Sequence, residues 1–328
     1  MKVLVGFGEN LEQSYAPLIA AGHEVISSRG RSNEEITALY GELDGVISGA
    51  VPGSLMARTP RLRVVISPVI GAERIDHEEA TRLGILACNS PSPENFNGVA
   101  EATIGLMVAL NKRLKRKEAR LRSGEWSEAN RPHMLIGQTI GFIGFGRIAR
   151  ETVKRLINWE MRFLAHDPYV SPEVAREFDV ELVDLPRLLS ESDFVSIHVV
   201  ATPETYEMIG EAEFRTMKPS AYLINTSRGQ VIDENAFCKA IQEDWIAGGA
   251  LDVFHQEPLG LESPLRDLDP ERVILTPHSI AHTVESAAGG IRMANENMLR
   301  ALRGEVPDNV VNPEAIPAWR ERFATTHV

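Results

Sequence analysis

The stretch that decides the fold is Thr139-Ile-Gly-Phe-Ile-Gly-Phe-Gly-Arg-Ile-Ala149, where an apolar run ends in Gly144-x-Gly146-x-x-Ala149 and a helical pattern, Glu151 to Trp159, follows at once. Each small residue has a physical task. Gly144 permits a tight strand-to-helix turn, Gly146 lets a pyrophosphate approach the backbone, and Ala149 lets the helix pack on the strand. The anion then faces free N–H groups at the helix N-terminus, so Phe145, Arg147 and Ile148 join the glycines as expected cofactor contacts. A second apolar run, Phe163 to Asp167, ends in a carboxylate 21 positions after Gly146, where this fingerprint needs an acceptor for ribose hydroxyls. Asp167 repels a 2′-phosphate and Pro168-Tyr169 offers no guanidinium, so NAD is expected rather than NADP.

Outward from this centre, short apolar runs recur at Val3 to Phe7, Gly45 to Ser48, Val64 to Ser67, Gly84 to Cys88, Phe194 to Val199, Ala221 to Thr226 and Val273 to Thr276. Most are separated by stretches with helical spacing. Near-continuous apolar strands alternating with helices mark parallel sheets covered on both faces, so an α/β, doubly wound architecture is expected. A length of 328 residues allows two domains, and 43% hydrophobic with 24% charged residues fits a globular chain. The formal charge of -12 opposes nucleic-acid and anionic-membrane partners. The one basic run, Lys112 to Lys117, lacks interleaved aromatics and reads as a solvated helix face. Cys88 and Cys238 lie too far apart in sequence for a metal-ligand spacing, and a reducing, cytoplasmic setting is expected, with no metal. The opening Met1 to Gly6 reads as a first strand, not as a targeting segment. Gly98 to Arg122 begins apolar on nearly every face, as a helix lying between two bodies would.

Three later runs end in polar residues, where open α/β sheets place ligands. Ala221 to Thr226 leads to Ser227-Arg228-Gly229, Gly249 to Phe254 leads to His255-Gln256-Glu257-Pro258, and Val273 to Thr276 leads to Pro277-His278-Ser279. Singly, Arg228, Glu257 and His278 have ordinary readings as an ion pair, a loop carboxylate and a strand-end polar residue. Together, after a nucleotide fingerprint, they describe a site.

This Arg, Glu, His series resembles the D-2-hydroxyacid dehydrogenase family, as do Gly84-Ile-Leu-Ala-Cys-Asn-Ser-Pro91, Val99-Ala-Glu101 at the opening of the long helix, Asp167-Pro-Tyr169 and Val311-Asn-Pro313. The resemblance covers essentially the whole chain. It implies an NAD-dependent oxidoreductase that interconverts a D-2-hydroxy acid and its 2-oxo acid. Arg228 would grip the substrate carboxylate, His278 would exchange the hydroxyl proton, and Glu257 would hold the imidazole and stabilise its charged form. Pro168, Val199, Pro203, Thr226, Ser227, Asp252 and His278 would line the cofactor, with Asp252 near the nicotinamide carboxamide. The resemblance also implies a split fold. Residues 1–98 and 286–328 would form a flavodoxin-like substrate domain, residues 99–285 would form a Rossmann nucleotide domain, the catalytic cleft would lie between them, and two chains would pair as a homodimer.

The family's carboxylate loop usually reads Gly-x-Gly, whereas Ser67-Pro-Val-Ile-Gly-Ala72 has Val69 at the first glycine. Backbone amides at Ile70 and Gly71 remain available, and the apolar Val69 and Ile70 suggest a substrate with an uncharged tail. The loop after the run Gly45 to Ser48, Ser48-Gly-Ala-Val-Pro52, offers no cation for a phosphorylated substrate. Ser90 to Asn97 reads as a long, proline-rich loop. Two other readings stay open: a specialised NAD-linked oxidation such as that of phosphite, and an NAD(H)-sensing binding protein of corepressor type.

Overall fold

The computed structural model describes residues 1–8, 10–126 and 131–323. Contacts divide the chain into two compact units, Met1–Asn95 with His282–Val328, and Phe96–Ala281. These divisions fall at 95/96 and 281/282, where the sequence reading put them at 98/99 and 285/286.

The first unit holds five parallel strands, β1 (Lys2–Val5), β2 (Glu24–Ser27), β3 (Gly45–Ile47), β4 (Val64–Ile66) and β5 (Leu86–Cys88), in the order β2-β1-β3-β4-β5. Alternate residues feed two separate cores. Val3, Val5, Ile47, Val64 and Ile66 face Ala294, Met298 and Trp319, while Leu4, Val46 and Val65 face Tyr40, Met56 and Leu62. The returning helix Val284–Leu302 therefore belongs to this sheet's core. A Cβ on Gly45 would stand 2.4 Å from the Met298 sulfur, so that glycine is where the helix seats. The tail is tied on by Asn312, which accepts from the Ala87 amide and donates to the Ile85 carbonyl.

The second unit holds seven parallel strands, β6 (Thr139–Ile143), β7 (Arg162–His166), β8 (Glu181–Leu182), β9 (Phe194–Ile197), β10 (Tyr222–Asn225), β11 (Gly248–Leu251) and β12 (Val273–Leu275), ordered β12-β11-β10-β9-β6-β7-β8. The chain winds one way from β6 through β8 and the other way from β9 through β12. Strand order thus reverses between β6 and β9, and the crevice at their carboxyl ends is where such sheets take ligands.

Three sequence expectations need correction. The long helix opens at Pro93, not near Val99, and runs to Asn111. Proline suits a first turn whose N–H groups have no helical acceptor, and Ser92 Oγ accepts the Asn95 amide there. Ser90 to Asn97 is therefore mostly helix, and only its start is loop. The stretch from Gly98 to Arg122 is also not one helix, because Arg113 turns left-handed (φ 52°, ψ 48°) and a second helix, Leu114–Arg122, starts after it. The basic run is not wholly solvated either, since Lys115 Nζ donates to the Val273 carbonyl at 2.9 Å and Arg116 pairs with Glu271 at 3.3 Å.

Candidate functional site

The glycine turn stands at the reversal point. Gly144 has φ +87°, and a Cβ there would lie 2.8 Å from Val199 Cγ1 and 2.9 Å from the His198 carbonyl oxygen. Only glycine fits both the conformation and the space. A Cβ on Gly146 would meet nothing within 4 Å, so that side of the turn is open, as a phosphate cradle requires. Gly146 caps the helix Arg147–Leu156, and Ala149 is fully buried against the sheet. Phe145 is also fully buried, so its side chain belongs to the core. The Arg147 guanidinium lies 5.2 Å from the Phe96 ring centre.

Asp167 follows β7 and accepts the Phe145 amide at 2.8 Å and the Tyr169 amide at 2.9 Å. It joins the glycine turn to the β7 end while remaining partly exposed with Pro168 and Tyr169. Beyond β9, Val199 packs on Gly144 and Pro203 is exposed in the following turn. Beyond β10, the Thr226 hydroxyl is buried without a partner. A cradle open at Gly146, helix amides behind it, a carboxylate at the β7 end and an unsatisfied hydroxyl one strand from β9 fit a dinucleotide along this crevice.

Arg228, Glu257 and His278, the residues expected to carry the reaction, follow β10, β11 and β12. Asn225, fully buried at the end of β10, accepts from Ser227 N and Oγ at 3.0 and 2.9 Å and donates to the Arg228 carbonyl at 2.9 Å. It thereby shapes the turn that presents Arg228, whose Nη1 donates to the Ser227 carbonyl at 2.7 Å. Gly229 sits where a Cβ would be 2.0 Å from the Phe254 carbonyl carbon, so the Arg228 segment and the loop after β11 touch backbone to backbone. That loop carries Glu257. Its Oε2 accepts from His278 Nδ1 at 2.7 Å and its Oε1 from the Phe254 amide at 3.1 Å. A carboxylate can only accept here, so Nδ1 carries the proton.

His278 has a left-handed backbone, φ 50°, and its amide donates to the carbonyls of Asp252 and Thr276. The Asp252 side chain is buried and committed to the same loop. Its Oδ1 accepts Thr276 Oγ1 at 2.6 Å and the Ser279 amide at 3.0 Å. Sequence reasoning placed Asp252 by the cofactor and missed this bracing, as it missed Asn225 as the shaper of the Arg228 turn. His198 is partly buried, with Nδ1 enclosed and Nε2 2.8 Å from Ser196 Oγ, and desolvation pushes its pKa down to about 4.

In the first unit, Ser67 to Gly71 follows β4. The Ser67 carbonyl accepts Ser90 Oγ, that of Val69 the Ser90 amide, that of Ile70 Asn89 Nδ2 at 2.9 Å, and that of Gly71 Ser67 Oγ. In a trans peptide the N–H opposes the preceding C=O. With the Val69 and Ile70 carbonyls held toward Asn89 and Ser90, the Ile70 and Gly71 amides are turned the other way. Among the described residues no cluster of His, Cys, Asp or Glu could hold a metal ion.

Residues 104–279 match the family model of the D-isomer specific 2-hydroxyacid dehydrogenase NAD binding domain. A glyoxylate reductase from Korarchaeum cryptofilum is 38% identical over 279 residues, covering 84% of this chain and 83% of that one. A D-3-phosphoglycerate dehydrogenase from Methanocaldococcus jannaschii is 36% identical over 322 residues, covering 97% of this chain and 60% of its own length. Among solved structures, the D-lactate dehydrogenase from Aquifex aeolicus, complexed with NAD and lactic acid, superimposes with a TM-score of 0.82 at 25% identity, over 95% of this chain and 99% of that one. With this site geometry and these relatives, the chain belongs to the D-isomer specific 2-hydroxyacid dehydrogenase family and is an NAD-dependent oxidoreductase of 2-hydroxy and 2-oxo acids.

Proposed function

We propose that the chain reduces a small, unphosphorylated 2-oxo acid to its D-2-hydroxy acid and catalyses the reverse oxidation. The observation that carries this reading is the 2.7 Å Glu257–His278 pair on a loop that packs against the Arg228 segment. Arg228, planar and always charged, takes the carboxylate and draws on the 2-oxo oxygen through its parallel donors. When bound, NADH supplies the hydride that reduces C2. His278 Nε2 hands its proton to the developing alkoxide, and Glu257 steadies the ring as its charge changes. In oxidation the proton returns to Nε2.

The turned-out amides of Ile70 and Gly71 are proposed as a second carboxylate anchor, with Val69 beside them. Glyoxylate is the first compound to test, because curated relatives carry that activity in their names. A phosphorylated acid is disfavoured by the loop Ser48–Pro52, which follows β3 and carries no cation. NAD is proposed over NADP on the position of Asp167 and the absence of a neighbouring guanidinium at Pro168-Tyr169. Gly144, Gly146, Arg147, Ile148, Val199, Pro203, Thr226 and Ser227 are proposed as further cofactor contacts. Leu114, Leu121, Trp126, Met134 and Ile136 expose large apolar side chains along one segment, which supports a homodimer. A cytoplasmic setting is proposed on the two buried free cysteines, whose thiols burial pushes up to about 12 and about 11. No helix among the described residues is long and apolar enough to cross a membrane. No observation favours phosphite oxidation or a corepressor role. NADH consumption with glyoxylate, pyruvate, hydroxypyruvate and 3-phosphohydroxypyruvate tests the reading. Turnover of at least one unphosphorylated acid is expected, and silence across the panel overturns it.

A further inference from the structure

Glu257 lies in a stretch, Asp252 to Ser263, that forms neither helix nor strand, and its side chain is exposed. Its bond to the Phe254 amide is local and fixes it only relative to its own loop. The loop itself is held from outside at His255. Glu234 Oε1 accepts the His255 amide at 2.7 Å, the Ile232 carbonyl accepts from His255 Nε2 at 2.9 Å, and Gln230 Nε2 donates to the His255 carbonyl at 3.3 Å. Three residues of one short segment therefore grip the residue two positions before Glu257. Glu234 is the charged member of this clamp and makes its shortest contact, and it stands in the first turn of the helix Glu234–Gln242, itself capped by Asp233.

We infer that Glu234 is a positioning residue for the reaction, fixing through His255 the loop that aims Glu257 at His278. A hydrogen bond to an ionised acceptor is roughly twice as strong as a neutral one, and removing the acceptor leaves a partly buried amide unpaired. The loop then relaxes, and the reach from Glu257 to His278 is the distance that suffers. Arg228 lies on the far side of Gly229 from this clamp in sequence and has its own support in Asn225, so substrate affinity does not share the loss.

This inference rests on the acid–base roles proposed above. The test compares Glu234→Ala, Glu234→Gln, Glu257→Gln and the double variant Glu234→Ala/Glu257→Gln in the full chain, using NADH and the best oxo acid of the panel. Glu234→Ala is expected to lower kcat tenfold or more, with KM and NADH affinity within about twofold. Its isotope effect with 4-deuterated NADH is expected to rise, since the chemical step slows. Glu234→Gln, which keeps an acceptor oxygen, is expected to recover most of kcat. In the Glu257→Gln background Glu234→Ala is expected to cost less than threefold, because the group it positions is already altered. An undiminished cost in that background, or a fall in kcat with an unchanged isotope effect, overturns the inference. The imidazole nitrogen spectrum of His278 gives a readout that needs no turnover: Glu234→Ala should reproduce the change caused by Glu257→Gln. If wild-type protein turns over no oxo acid, the activity reading fails, while this spectrum still decides the clamp.

Discussion

Two histidines at strand ends, His198 and His278, put the same ring to opposite uses. His278 is exposed and bonded to a carboxylate, as its proposed role in proton exchange requires. Replacing it with glutamine is expected to cut kcat by about 10²- to 10⁴-fold, the usual worth of acid–base catalysis, while NADH binding measured by fluorescence persists. Arg228→Lys is expected to raise KM for the oxo acid and lower kcat, because an ammonium cannot reproduce two parallel donors; steady-state kinetics with wild-type KM would count against the carboxylate role. His198 is partly buried with its ring nitrogens turned from water, and desolvation lowers its pKa from 6.5 in the unfolded chain to about 4 in the fold. Below pH 6.5 the unfolded chain therefore takes up a proton that the folded one refuses. The folded state keeps its full advantage above that value and loses it as pH falls toward 4, by about 2 kcal/mol between pH 7.5 and 5. Urea unfolding at the two pH values checks this, and a His198→Gln variant should show a shallower dependence.

At the scale of elements, the close approach of the Arg228 segment to the Glu257 loop makes Gly229 sensitive. Gly229→Ala would force backbone atoms apart, and a loss of at least about 1–3 kcal/mol is expected by denaturant unfolding, together with reduced kcat. The central strands were legible in sequence because they are apolar on both faces. Edge strands β2 and β8 were not, since their residues are partly exposed and form no apolar run. The helix start at Pro93 was hidden inside what read as a proline-rich loop. The break at Arg113 was hidden more deeply, because a left-handed turn at a non-glycine residue leaves no compositional mark. Likewise Arg228, Glu257 and His278 could be proposed from strand-end positions and the family resemblance, but the contacts of Asn225, Asp252 and Glu234 depend on which loops approach one another. No local pattern encodes that.

For the whole molecule, the cofactor and the state of association are the measurable properties. Asp167 accepts two backbone amides at once, so replacing it should do more than relax cofactor choice. Asp167→Ser is expected to raise the ratio of kcat/KM for NADPH over NADH at least tenfold and also to weaken NADH binding, as the glycine turn loses a tie. An unchanged ratio would remove Asp167 from discrimination. Sedimentation is expected to give a dimer, and charged substitutions at Leu121 and Met134 to shift it toward monomer.

The core shared by Val3, Ile47 and Val64 with Ala294, Met298 and Trp319 has a consequence for the order of events during synthesis. A chain emerging from its N-terminus makes the five strands of the first unit before residue 90, yet the helix that covers one face of that sheet arrives only after residue 283. Meanwhile the whole of Phe96–Ala281 has been made and can close its own cores. The unit begun first is thus finished last. Until then that face of its sheet is covered only in part, by Tyr15 and Leu18 from the first helices, and that interval is when a growing chain depends most on protection from its neighbours.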